Sequence, residues 1–166
     1  YILKFSTSWT NILYLLYYIY TLNYRVPLYF TNFIISLVFT TFIWGTYITF
    51  VYIENIFNYG FYINYINHKK EKFNLIIYIF SIIVHFIPFI HILHNYKTYI
   101  NNSICYTNIY NSIIKTFLLL IVYVIIYLFF TDMYKQYFRI PTKILIIPCA
   151  VIFSISTIFL YYIQSI

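Results

Sequence analysis

Apolar residues run through this chain in stretches of about twenty, separated by short polar breaks. A helix needs about 20 predominantly apolar residues to cross the hydrocarbon core of a bilayer. Five stretches meet that requirement, roughly 5–22, 28–53, 73–94, 112–131 and 144–163. Thr7, Ser8, Thr10 and Asn11 crowd the start of the first. The second is long enough to tilt or to extend past the interface. Arg25 and Pro27 separate the first two, and HKKEK (68–72) precedes the third. The Asn/Thr-rich residues 95–111 follow it, and a link with Asp132, Lys135, Arg139 and Pro141 precedes the last. No repeat and no long linker interrupts the series. The pattern predicts an all-α fold: a polytopic transmembrane helical bundle of about five spanning helices, one integral-membrane domain over residues 1–166.

Composition strengthens the membrane assignment. Of 166 residues, 63% are hydrophobic and only 8% charged. A soluble domain carries about a quarter charged residues, so this chain lacks the means to build a water-facing surface. Its 23 Tyr and 18 Phe, with abundant Ile and Asn, carry the mark of an AT-rich genome. Aromatic stripes are therefore read first as packing or interfacial belts.

The net charge of +7 is spread between apolar segments, with no concentrated basic face, so nucleic acid is not an expected partner. Membrane lipids are. If the five spans alternate, Lys4, Lys69, Lys70, Lys72, Lys135, Arg139 and Lys143 fall on one side and Arg25, Lys97 and Lys115 on the other. The positive-inside rule then puts the richer side, with residues 54–72 and 132–143, toward the cytosol or matrix.

Groups able to carry chemistry are few. The three carboxylates, Glu54, Glu71 and Asp132, sit at span edges or in links. Cys105 falls in an expected loop and Cys149 in a span, so neither a CxxC metal site nor a disulfide is expected. His68 belongs to the charged HKKEK link. His91 and His94 are three apart and share a helix face within reach of one metal or haem. Their place at the end of a span, beside Asn95, Tyr96 and Lys97, favours interfacial side chains instead. No cofactor and no metal is assigned.

His85 differs because it lies about twelve residues into the third span, far from either interface at 1.5 Å per residue. Pro88 follows and removes a backbone donor, which predicts a kink with His85 turned toward other helices. Two readings stand for this ring. It is either a buried imidazole bonded to a neighbouring Tyr, Ser or carbonyl, or a base facing a cavity.

The stretches LKFSTSWTNILYLLYYIY (3–20) and VHFIPFIHI (84–92), with a Pro141-containing loop leading into a final apolar helix, resemble the androgen-induced family of multi-pass membrane threonine hydrolases. That resemblance implies an intramembrane Thr and His acting on fatty-acid esters of hydroxy fatty acids. The Thr of the family's aromatic-x-Thr start falls on Thr7, and the His before its Pro-Phe-Ile segment falls on His85. These two are the candidate catalytic residues, Thr7 as nucleophile and His85 as its base. The family has six spans, so a further span is expected upstream. A hydrolase of this kind belongs in the endoplasmic reticulum or plasma membrane.

The rival expectation is a non-catalytic structural subunit of a respiratory-chain type complex in the mitochondrial inner membrane. The Ile/Tyr/Phe/Asn bias fits a mitochondrially encoded polypeptide, and its histidines and tyrosines would pack against other membrane subunits or lipid.

Overall fold

The computed structural model describes residues 6–51, 75–104, 108–130, 136–137 and 140–165. In chain order these form α1 (Ser6–Thr21), β1 (Val26–Pro27), α2 (Leu28–Val51), α3 (Leu75–Asn101), β2 (Ser103–Ile104), α4 (Ile109–Phe130), β3 (Gln136–Tyr137), β4 (Ile140–Pro141) and α5 (Thr142–Ser165). Helices dominate, as expected of a chain whose backbone must satisfy itself where water is absent. Three of them contain stretches long and apolar enough to cross a membrane: Leu28–Thr46 in α2, Ile109–Ile126 in α4 and Ile147–Gln164 in α5. At 16 residues, α1 is the shortest of the five.

Local chemistry accounts for the helix ends. Asn108 caps α4, its side-chain carbonyl accepting from the Tyr110 N–H at 2.6 Å. Thr21 closes the last turn of α1 by donating to the Tyr18 carbonyl at 2.8 Å. Pro27 and Pro141 stand immediately before α2 and α5, where a missing N–H costs no helical bond. α3 remains helical through Pro88 and runs on to Asn101, past the end expected near residue 94. Asn95 helps there by donating to the His91 carbonyl at 3.0 Å, so an apparent linker residue becomes part of the helix.

Short strand pairs mark three of the links between helices. β1 pairs in parallel with β2, Val26 opposite Ser103 and Pro27 opposite Ile104. This sets the α1–α2 and α3–α4 connections side by side at one end of the bundle. β3 and β4 pair antiparallel within the α4–α5 connection.

α2 is the centre. Thr31 through Val38 are all buried, more than two turns without a solvent- or lipid-facing position. A helix apolar on every side is one surrounded by protein, and α1, α3, α4 and α5 each pack against this one. Phe42 stacks on Phe89 of α3 at 3.7 Å between ring centroids and meets Phe86 edge-on. On the opposite flank Phe33 meets Phe153 of α5 and Tyr123 of α4 edge-on, at 6.0 and 6.2 Å. The outer helices carry the reverse pattern. Ile114, Leu118, Ile121, Val122 and Ile125 of α4, and Ile147, Val151, Ile155 and Ile158 of α5, are exposed. Such continuous apolar faces suit acyl chains and not water.

Polar side chains tie α2 to its neighbours. Thr157 of α5 donates to Ser36 at 2.9 Å, with both residues fully buried. Asn32 and Gln164 exchange a reciprocal pair of amide hydrogen bonds at 3.0 and 2.9 Å. The Thr116 hydroxyl of α4 reaches the Tyr29 carbonyl at 3.1 Å and Tyr161 of α5 at 3.0 Å. Interhelical hydrogen bonds within membranes are worth about 0.6 kcal/mol on average. Leaving one partner buried and unsatisfied costs more, about 1–3 kcal/mol.

The paired links allow a direct check. In a chain lacking Cys105 and Cys149, cysteines replacing Val26 and Ser103 should join on mild oxidation, because paired strands lie about 4.8 Å apart, within disulfide reach. A Val26→Cys and Gln136→Cys pair, at opposite ends of the bundle, should not. Equal cross-linking of the two pairs would contradict the fold.

Candidate functional site

The polar groups with chemical potential gather where α1, α2 and α3 meet. α1 runs antiparallel to α2: Thr41 donates to Thr10 at 3.1 Å, and Tyr17 donates to Thr31 at 3.2 Å. α3 is likewise antiparallel to α2, since Phe39 and Phe42 meet Phe89 and Phe86. α1 and α3 are therefore parallel, and Asn11 bridges them by donating to the Val84 carbonyl at 3.1 Å.

One cluster centres on His91. Its Nδ1 is hydrogen-bonded to the Tyr14 hydroxyl and lies 3.3 Å from the Tyr99 hydroxyl. The two phenol oxygens are 3.4 Å apart, so the three atoms form a triangle between α1 and α3. A tyrosine hydroxyl both donates and accepts, so either imidazole tautomer is accommodated. Tyr18 meets the ring edge-on at 5.1 Å, with planes at 89°. The network reaches the bundle end: Ser103 of β2 donates to the Tyr99 carbonyl at 2.7 Å, and its oxygen lies 2.7 Å from that of Thr31.

His85 occupies a different seam, between α3 and α2. Its ring lies directly over Gly45, where a Cβ would stand 2.8 Å from the ring Cγ and closer still to Cδ2 and Nε2. Only glycine leaves room for that approach, as small residues do wherever membrane helices pack closely. The next residue, Thr46, carries a buried hydroxyl with no hydrogen-bond partner among the described residues.

Thr7 lies in the first turn of α1, and its side chain is outside the described residues. The helix registers give its level. Thr10 meets Thr41, and Gly45 is one turn further along α2 beneath His85. Thr7, nearly a turn back along α1, therefore falls at the level of Gly45 and His85 to within about one helical turn, roughly 5.4 Å. The backbone brings the two sequence candidates to neighbouring levels of the bundle. His94 is exposed on α3. His68, Glu54, Glu71, Asp132 and Cys105 lie outside the described residues, and Cys149 is a half-buried free thiol on α5.

Sequence reasoning singled out His85 and missed the elaboration around His91. Tyr14 and Tyr99 are two of 23 tyrosines, with no local feature to mark them. Gly45 did carry a signal: it is one of only two glycines in the chain and the only one within an expected span.

Comparison of the chain with protein-family models, with curated proteins and with solved structures finds no match.

The Gly45–His85 contact is testable by a mutant cycle. Gly45→Ala forces a methyl group into the imidazole, and overpacking of this kind costs about 1–3 kcal/mol. The denaturation midpoint in micelles should fall, and His85→Ala in the same chain should recover most of the loss. An equal loss with and without the imidazole would show that the ring does not fill this notch.

Proposed function

We propose that the chain is an integral membrane protein of five spans, serving as a non-catalytic structural subunit of a membrane complex. The observation that carries this reading is the employment of its interior polar groups. Ser36 with Thr157, Asn32 with Gln164, and Tyr14 with His91 each join two helices, while His85 fills the space over Gly45. Hydroxyls and ring atoms used in this way lock helix positions and are not themselves free to meet a substrate.

Five spans add α1 and α3 to the three helices that contain membrane-length apolar stretches. The adjacency of β1 and β2 supports this, because alternate crossings return the first and third links to the same side. The division of cations, with Arg25, Lys97 and Lys115 at that end, supports an orientation in which residues 54–72 and 132–143 face the cytosol or matrix. The Ile/Tyr/Phe/Asn bias favours the mitochondrial inner membrane as its site.

A second reading draws on the neighbouring levels of Thr7 and His85 and on the resemblance to the androgen-induced family. In it lipid enters from the acyl region, the Thr7 hydroxyl attacks the carbonyl of a fatty-acid ester, His85 accepts its proton and passes it to the departing alcohol oxygen, and water then releases the fatty acid from Thr7. Thr7 and His85 are then catalytic residues in the endoplasmic reticulum or plasma membrane.

One experiment separates the two. The chain is extracted from its own membranes in mild detergent, resolved on a native gel and exposed to an activity probe for serine and threonine hydrolases. The structural reading expects migration in an assembly far larger than 20.4 kDa and no labelling. Labelling of the wild type that vanishes in Thr7→Ala would overturn it in favour of the hydrolase.

A further inference from the structure

His91 and His94 share the outer edge of α3 near the end where β1 and β2 pair. His91 is half-buried, while His94, one turn on, is exposed. The bonds to His91 all fall on Nδ1, so among the described residues Nε2 has no partner. His94 has none on either nitrogen among the described residues. The exposed positions before them, Ile87, Ile90 and Leu93, are apolar, and Lys97 and Thr98 are exposed a turn beyond His94. Half-buried against α1, the His91 ring is partly withdrawn from water, and its second nitrogen gains from a partner of another kind.

We propose that His91 and His94 form a two-imidazole site for a divalent transition metal of the copper and zinc type. Residues three apart on a helix have Cβ atoms about 5–6 Å apart, so both rings reach one ion at metal–nitrogen distances of about 2.0–2.1 Å. Imidazole nitrogen suits copper, zinc and nickel. Ligating histidines characteristically bond their second nitrogen to a fixed partner, which sets the ring's orientation and tautomer. Tyr14 and Tyr99 supply that partner. With Nδ1–H donating to the Tyr14 oxygen, the Nε2 lone pair of His91 is left for the metal, and the Tyr14 proton turns toward the Tyr99 oxygen 3.4 Å away. Among the described residues no group of three His, Cys, Asp or Glu side chains could hold a metal. Water or lipid oxygen therefore completes the coordination. Tyr14 and Tyr99 act as positioning residues, not ligands.

The test uses the full chain in lipid nanodiscs with Cu2+ alone as the probe, followed by electron paramagnetic resonance and titration. The wild type should bind one ion strongly, with the spectrum of two coordinated imidazole nitrogens. His94→Ala removes an exposed side chain without disturbing the interior, so it should keep the fold, weaken binding at least about tenfold and leave a one-nitrogen spectrum. Tyr14→Phe keeps both ligands but releases the ring, and loss of such a partner lowers affinity by about 10–100-fold. In that variant the two-nitrogen spectrum should return at higher copper. Wild-type affinity and spectrum in His94→Ala would overturn the proposal, as would wild-type binding no tighter than that of the His91→Ala/His94→Ala chain.

Discussion

Where a helix is enclosed by four others, the polar groups it buries need partners from those neighbours or from its own backbone, and α2 is so enclosed from Thr31 to Val38. Thr31, Asn32 and Ser36 are fully buried on it, with Thr40 close to that limit. Thr40 turns its hydroxyl back to the Ser36 carbonyl at 2.7 Å. The other three bond outward, to Tyr17 of α1, Gln164 of α5 and Thr157 of α5. Because lipid tails are as apolar as leucine, burial alone does not drive such helices together; close packing and hydrogen bonds do. Small side chains on α2 permit the approach, and their hydroxyls and amide fix the register. The placement of α1, α3, α4 and α5 follows from meeting that one surface.

Much of this architecture is legible in the sequence because bilayer thickness and helix rise constrain apolar stretches to nearly one length. The expected second, fourth and fifth stretches coincide with α2, α4 and α5 to within a few residues. The end of α3 was harder to read. Asn95, Thr98 and Asn101 have the composition of a link, yet Asn95 bonds back to the His91 carbonyl and Tyr99 packs inward on Tyr17 at 5.4 Å. Long-range partnership decided there against local preference. The Tyr14–His91–Tyr99 triangle was illegible for a similar reason: it joins positions far apart in a chain where tyrosine is too common to signal anything.

His85 and His91 of α3 show how differently one residue type is accommodated. His85 is fitted into a notch made by an absent side chain, and His91 is held at one nitrogen by two hydroxyls. The first arrangement gives shape and the second gives orientation. An oriented imidazole with a second nitrogen to spare is the arrangement suited to holding a ligand, which is why the metal proposal rests on His91 and not on His85. The candidate hydrolase pair depends on a different property, the neighbouring levels of Thr7 and His85, and the two ideas stand or fall separately.

The central claim is that α2 is enclosed by protein while α4 faces lipid, and a spin-label scan in bilayers tests it most directly. Labels are placed singly from Thr31 to Val38 and from Ile114 to Ile125, and their collision rates with oxygen and with a water-soluble nickel reagent are measured. The account predicts low rates with both reagents throughout the α2 series. In α4 it predicts high oxygen rates repeating every 3.6 residues, peaking at Ile114, Leu118, Ile121 and Ile125. A helical oscillation of oxygen access along α2, or nickel access along the outer face of α4, would contradict it.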